Sequence, residues 1–186
     1  MDLEIRPVDA GQWSAVTTLF GPKGASVGCW CMFWRLPNAE MNAGTDDDRR
    51  AALESVVSSG EPSGLLAYLD GEPVGWCAVA PRTEFRRLPR TKALDLTDPE
   101  DERVWSVTCF VVRADRRRAG VATALLDAAV DYARSHGATA VEGYPSAVGT
   151  GGASKLSTGT LGLFSGAGFT QPAQPTGRRI VVRREL

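Results

Sequence analysis

In this 186-residue sequence, the residues best placed to do chemistry lie in Arg113-Ala114-Asp115-Arg116-Arg117-Arg118-Ala119-Gly120-Val121-Ala122. This stretch joins the apolar run Val104 to Val112 to a strongly periodic helix. Such a junction gathers unpaired backbone N–H groups and the positive end of a helix dipole in one place, so it binds anions. Gly120 and Ala122 lack bulk, which lets a phosphate approach the backbone, and Arg117 and Arg118 add charge. A diphosphate ligand fits. The string is not the dinucleotide fingerprint G-x-G-x-x-G, whose first glycines are missing, and no G-K-[ST] follows. As a bare string it also serves as a tidy helix start, so its context has to decide.

Other reactive types give less. Cys29, Cys31, Cys77 and Cys109 follow no zinc-ligand spacing and no small disulfide framework, and free thiols are expected. His136, the single histidine, falls at the far end of the periodic helix, where a C-terminal cap explains it. Arg82, Arg86, Arg87 and Arg90 cluster, yet 21 Lys plus Arg against 22 Asp plus Glu leave a formal charge of -1. No global field therefore draws the chain to nucleic acid or an anionic membrane, and the cluster has no nucleic-acid docking motif around it. The start, MDLEIRPVDAGQW, resembles neither a secretory signal nor a transit peptide, and no run of about 18 apolar residues occurs. A cytoplasmic location is expected.

The elements that must position the turn are legible from periodicity. Leu3 to Val8 alternates as a short strand, and Asp9 caps a helix over Trp13, Val16 and Phe20. The segment Cys29-Trp30-Cys31-Met32-Phe33-Trp34-Arg35 is too aromatic for an ordinary surface loop. Read as a helical turn, it puts Trp30 and Trp34 on one face, and Cys29 and Phe33 on another. Asp46-Asp47-Asp48 opens a helix with Ala52, Leu53, Val56 and Val57 inward. Gly64 to Leu69 and Pro73 to Ala80 are strands joined by the hairpin pair Asp70-Gly71. Pro81 to Glu102 is a long charged loop, and Val104 to Val112 a central strand. Val121, Ala124, Leu125, Ala128, Ala129, Tyr132 and Ala133 make one helical stripe that Gly137 ends, and Ala138 to Tyr144 resumes as a strand. A glycine-rich loop, VGTGGASKLSTGT, leads to a short helix at Leu161 to Gly166, and Ile180 to Arg183 is the last strand. The class is mixed α/β (α+β), in one domain over residues 1–186.

In that context, Phe110-Val111-Val112, four residues, Arg117-x-x-Gly120-x-Ala122 and the Leu-Leu helix together resemble the acetyl-CoA motif of the GNAT N-acetyltransferases. Leu163-Phe164-Ser165-Gly166-Ala167-Gly168-Phe169 is similar to that family's closing helix and Gly-Phe ending. GCWCMFWR and VWSVTCFVV also look like an actinobacterial-style subgroup. The likeness covers most of Leu3 to Arg184 and implies a splayed, mostly antiparallel central sheet flanked by helices. It implies acetyl-CoA as co-substrate and no metal. The cofactor would sit between the Val104–Val112 and Ala138–Tyr144 strands, its pantetheine arm on Phe110, Val111 and Val112. Its pyrophosphate would lie on the turn of Arg117, Arg118, Ala119, Gly120, Val121, Ala122 and Thr123. A neutral amine would attack the thioester directly.

The resemblance also carries the catalytic candidates. Glu142 matches a glutamate that many members keep, which implies a general base; the competing reading is a salt bridge to an arginine of the Pro81 to Glu102 loop. Glu84 and Glu102 flank the same opening and could act through water. Phe164 stands where the family commonly has a tyrosine that protonates the departing sulfur. Tyr144, Ser146 and Cys109 are the substitutes, each with a packed strand-end role as its alternative, and a covalent route through Cys109 lacks a histidine partner. Cys29 to Arg35 and the Pro81 to Glu102 loop would wall the acceptor pocket, with Trp30, Trp34 and Glu84 lining it and a purely structural role open for both tryptophans. The implied acceptor is a small-molecule or peptide amine, with hydrophobic or aromatic character, and not a nucleic acid or a membrane. Monomer and homodimer both stay open. A second reading, a non-catalytic acyl-CoA-sensing module, draws on the missing tyrosine.

Overall fold

Alternating apolar side chains along six strands divide the core between two faces of one sheet. β1 (Leu3–Pro7), β2 (Leu65–Leu69), β3 (Glu72–Pro81), β4 (Val104–Val112), β5 (Ala140–Gly143) and β6 (Val182–Glu185) lie side by side in chain order in the computed structural model. The structure describes residues 2–94, 96, 98–145, 157–171 and 180–186. Every neighbouring pair is antiparallel except β4 and β5, which run parallel, as a strand–helix–strand unit requires. The sheet is the mostly antiparallel, helix-flanked one the sequence implies. Asp70 and Gly71, both at positive φ (51° and 85°), close the β2–β3 hairpin.

The helices are α1 (Trp13–Phe20), α2 (Asn38–Ala43), α3 (Asp46–Ser58), α4 (Val121–Ser135) and α5 (Leu161–Gly166). On one face of the sheet, α4 buries Val121, Leu125, Leu126, Ala129, Val130 and Ala133 against side chains of β2, β3 and β4. The helix lies close: a Cβ on Gly75 would come within 2.7 Å of Val121 Cγ1 and 3.0 Å of Leu125 Cδ1. On the other face, α1 and α3 bury Val16, Phe20, Leu53 and Val57 against Leu66, Trp76 and Ala78. Asp9 caps the 3₁₀ turn that leads into α1, and a capping box between Thr45 and Asp48 starts α3. His136 closes α4, its Nδ1 lying 2.9 Å from the Tyr132 carbonyl oxygen.

Two departures from expectation matter for the site. The last strand, Val182–Glu185, lies two residues further along than expected, and α2, which no periodicity announced, follows Pro37. In addition, Ala78 faces Cys109 while Val79 faces Val107, so Thr108 is an extra residue in β4. This bulge reverses the alternation: Trp105 and Val107 face α4 before it, and Phe110 does so after it. Cys109 is thereby turned to the opposite face.

Candidate functional site

β5 pairs with β4 only from Val104 to Val107, so β4 from the Thr108 bulge onward has no strand beside it there among the described residues. A cleft results, with β4 as one wall and the start of α4 at its end. The Phe110 N–H on this edge donates to the Ser157 carbonyl at 2.6 Å, and the Thr108 hydroxyl is buried without a hydrogen-bond partner. Thr108 escaped the sequence reading, because a bulge leaves no mark in an apolar run.

The turn into α4 has the shape that anion binding needs. Arg118 (φ 62°) and Gly120 (φ 79°) both take left-handed conformations, and Gly120 occupies the N-cap position with no side chain capping the helix. A Cβ on Gly120 would meet nothing within 4 Å, so the N-cap itself borders open space. Arg117, Arg118, Ala119 and Gly120 are exposed. Neither Arg117 nor Arg118 makes an ion pair among the described residues, whereas Arg113 is held by Glu72 and Asp115.

At the other side of the cleft lies a buried charged cluster. Glu142, 2% exposed, accepts from Arg82 (2.9 Å), from Arg183 (3.1 Å) and from the Tyr144 hydroxyl (3.0 Å). Tyr144 Oη also lies 2.7 Å from Ser106 Oγ. Burial, chiefly, pushes the Tyr144 phenol well above its usual value, so it keeps its proton. The arginine of the Pro81 to Glu102 loop weighed as a salt-bridge partner for Glu142 is thus Arg82, itself fully buried and also donating to the Asp98 carbonyl. Both carboxylate oxygens of Glu142 are already engaged, Oε2 by Arg82 and the Tyr144 hydroxyl and Oε1 by Arg183, so neither is turned toward an incoming amine.

The other candidates separate. Phe164 is fully buried, in edge contact with Phe110 (6.2 Å) and Phe169 (5.1 Å). Cys109 Sγ lies 3.0 Å from Cys31 Sγ, and all four cysteines are free. The contact with Cys109, then burial, raises the Cys31 thiol well above its usual value, which makes it a weak nucleophile. Ser146 lies outside the described residues, and Glu102 is exposed. Glu84 is largely exposed and pairs with buried Arg35 at 3.5 Å; burial pulls Arg35 down to about 10, so it stays charged at neutral pH.

The segment before α2 corrects one expectation. Trp30 (φ 48°) and Cys31 (φ 54°) are left-handed, so the chain makes a turn and the two tryptophans share no face. Trp30 packs on Phe20 (5.5 Å) and Trp13 (6.3 Å) in the core beneath α1. Trp34 packs with Phe85, Leu88 and Tyr144 in a separate cluster, its ring 6.2 Å from that of Tyr144. Both are buried, and Phe33 is the one left exposed. Trp34 also forms the floor of an open groove of about 580 Å³ between this segment and the Pro81 to Glu102 stretch. No cluster of ligating side chains able to hold a metal occurs among the described residues. No helix among them is long and apolar enough to cross a membrane.

Residues 30–146, more than half of the chain, match the Acetyltransferase (GNAT) family. No curated protein matches the sequence. Among solved structures, a GCN5-related N-acetyltransferase from Kribbella flavida is similar, at 21% identity and TM-score 0.60, covering 99% of this chain and 98% of that one. YncA from Salmonella typhimurium, solved with acetyl-CoA, is 17% identical at TM-score 0.57, covering 99% and 94%. The PaiA N-acetyltransferase of Thermoplasma acidophilum, solved with coenzyme A, is 10% identical at TM-score 0.58 and covers both chains fully, at 100% and 100%.

Proposed function

Because the chain belongs to the GNAT acetyltransferase family, and takes its acetyl group from acetyl-CoA, we propose that residues 1–186 act as one acyltransferase domain working by direct attack of an amine. The observation that supports this reading is the edge of β4 that β5 leaves unpaired beyond Val107, running into the start of α4 at Gly120, which no side chain caps. The N–H groups of the turn and the Arg117 and Arg118 guanidiniums suit a diphosphate. The β4 edge from Phe110 to Val112, which β5 does not pair, suits an amide-bearing arm; the Phe110 N–H has to leave the Ser157 carbonyl to take part.

The charged cluster serves as scaffold in this reading. Glu142, Arg82 and Arg183 tie β5, the loop after β3 and β6 together, and Glu142 fixes the Tyr144 hydroxyl toward Ser106. Tyr144, fully buried with its hydroxyl donated to Glu142, belongs to that scaffold, and the amine loses its proton to water. No donor is required at Phe164, because a thiol with pKa of ~8.5 leaves tolerably without one. The reaction proceeds in the cytoplasm on a small-molecule or peptide amine.

Gly120→Asp tests the reading. A carboxylate placed on the open turn meets the phosphates with like charge, and the expected result is a loss of coenzyme A affinity of at least ~10-fold by calorimetry. Unchanged affinity in a folded variant removes the assignment. The sensing alternative is separated by turnover: acetyl-CoA bound but never consumed with any amine supports it.

A further inference from the structure

The groove over Trp34 is bounded by Phe33, by Asn38 and Asn42 of α2, and by Arg87 and Arg90. Its lining holds two guanidiniums and no carboxylate. Asn38 and Asn42, one helical turn apart, offer amide groups on the same side of α2. The neighbouring acids are taken elsewhere: Glu40 pairs with Arg86 (3.8 Å), and Glu84 with Arg35 (3.5 Å).

Arg87 is the unusual member. It is only 8% exposed, yet its side chain makes no ion pair or hydrogen bond among the described residues, and its Nε is buried with no partner. Its guanidinium lies 4.0 Å over the Phe33 ring, whose π face recovers part of the lost hydration without supplying a counter-charge. Burial lowers its pKa, as it does for a cation that folding leaves uncompensated. The backbone holds it there: the Arg87 N–H donates to the Trp34 carbonyl at 3.0 Å, locking the two walls of the groove together. A buried cation without a partner costs stability, and such a cost is expected where a ligand supplies the missing anion.

We infer that this groove is the acceptor subsite and that it takes an amine bearing a carboxylate or similar small anion, the anion bridging Arg87 and Arg90. The inference rests on the acetyl-transfer reading for what happens to the amine, but not for the anion contact. The groove lies beside the charged cluster: Trp34, which lines it, packs on Tyr144, whose hydroxyl reaches Glu142 and Ser106. Phe33, exposed and edge-on to Trp34 (5.0 Å), offers an apolar surface for the acceptor's side chain. A planar fork such as Arg87 binds a carboxylate in two-point geometry, which lysine cannot reproduce.

Matched pairs differing only by a carboxylate provide the test: phenylalanine against phenethylamine, and leucine against isoamylamine. Each is titrated into the full chain without acetyl-CoA, following tryptophan fluorescence and melting temperature, and then assayed with acetyl-CoA for release of the coenzyme A thiol. The acid of at least one pair is expected to bind at least ~10-fold more tightly than its decarboxylated partner. That preference should vanish in Arg87→Gln, survive in part in Arg87→Lys, and fall in Arg90→Gln, whose exposed side chain keeps the fold out of question. Binding of no acid, equal binding of both members, or an unchanged preference in Arg87→Gln and Arg90→Gln overturns the inference. Arginine-dependent binding of an acid without any thiol release upholds the subsite and overturns acetyl transfer instead.

Discussion

Arg82 and Arg87 leave the same irregular stretch after β3, and both are buried, but their surroundings are opposite. Arg82 is met by the Glu142 carboxylate at 2.9 Å and the Asp98 carbonyl, while Arg87 has an aromatic ring and no anion. The first arrangement is closed: each charge is matched inside the protein, which suits a part that holds β5 and the loop in place. The second is open, and an open buried charge is what a binding surface looks like before its ligand arrives. The same contrast of filled and open recurs across the sheet, where Phe164 is packed on all sides and Gly120 faces empty space.

The largest effect should come from breaking the closed pair. Arg82→Met leaves Glu142 buried with only Arg183 and Tyr144, and a loss of about 3–5 kcal/mol in urea unfolding is expected. Combining it with Glu142→Gln should return part of that loss, since the stranded charge is gone. Glu142→Gln alone distinguishes the scaffold role from a base: a lowered melting point with kcat within a few-fold fits the scaffold. A folded variant that loses ~100-fold or more in kcat restores Glu142 as the base.

The next effect concerns Phe164. A Cβ on Gly143 would fall 2.4 Å from its Cζ, and one on Gly159 2.8 Å from its Cε2, so two residues without side chains leave the space the ring occupies. Phe164→Tyr adds a hydroxyl to a packed site, with an expected cost of ~1–3 kcal/mol and no gain in turnover. Turnover rising by ~10-fold would mean that the hydroxyl reaches the departing sulfur and that proton donation limits the rate.

How far the sequence disclosed this molecule depended on the kind of structure. The regular parts were legible because periodicity encodes burial: β4 and the core stripe of α4 follow from spacing alone, and Asp70-Gly71 named its turn. The cofactor side of the candidate site was legible for the same reason, since it is a junction of two regular elements. The acceptor side was not. Trp30 and Cys31 are left-handed without being glycine or asparagine, a conformation imposed by packing and not by local preference, so the helical spacing assumed there failed. The partner of Glu142 was legible only as one arginine among four, because which of Arg82, Arg86, Arg87 and Arg90 turns inward depends on contacts distant in sequence.

The smallest expected effect is the sharpest check on the contrast. Arg87 is 8% exposed with its guanidinium over Phe33, so Arg87→Gln shortens a buried side chain and removes packing, which alone would destabilise. It also removes a desolvated charge that no anion offsets, which alone would stabilise. The Phe33 interaction lost with it is worth only ~1–2 kcal/mol, comparable to the charge penalty relieved. The two should nearly cancel, leaving Arg87→Gln within about 0.5–1 kcal/mol of the parent in unfolding experiments without ligand. The difference should reappear when a carboxylate-bearing amine is added, because the parent alone gains stability from binding it. If Arg87→Gln instead unfolds as readily as Arg82→Met without any ligand, Arg87 is a structural cation like Arg82, and the distinction between a closed and an open charge in this loop is lost.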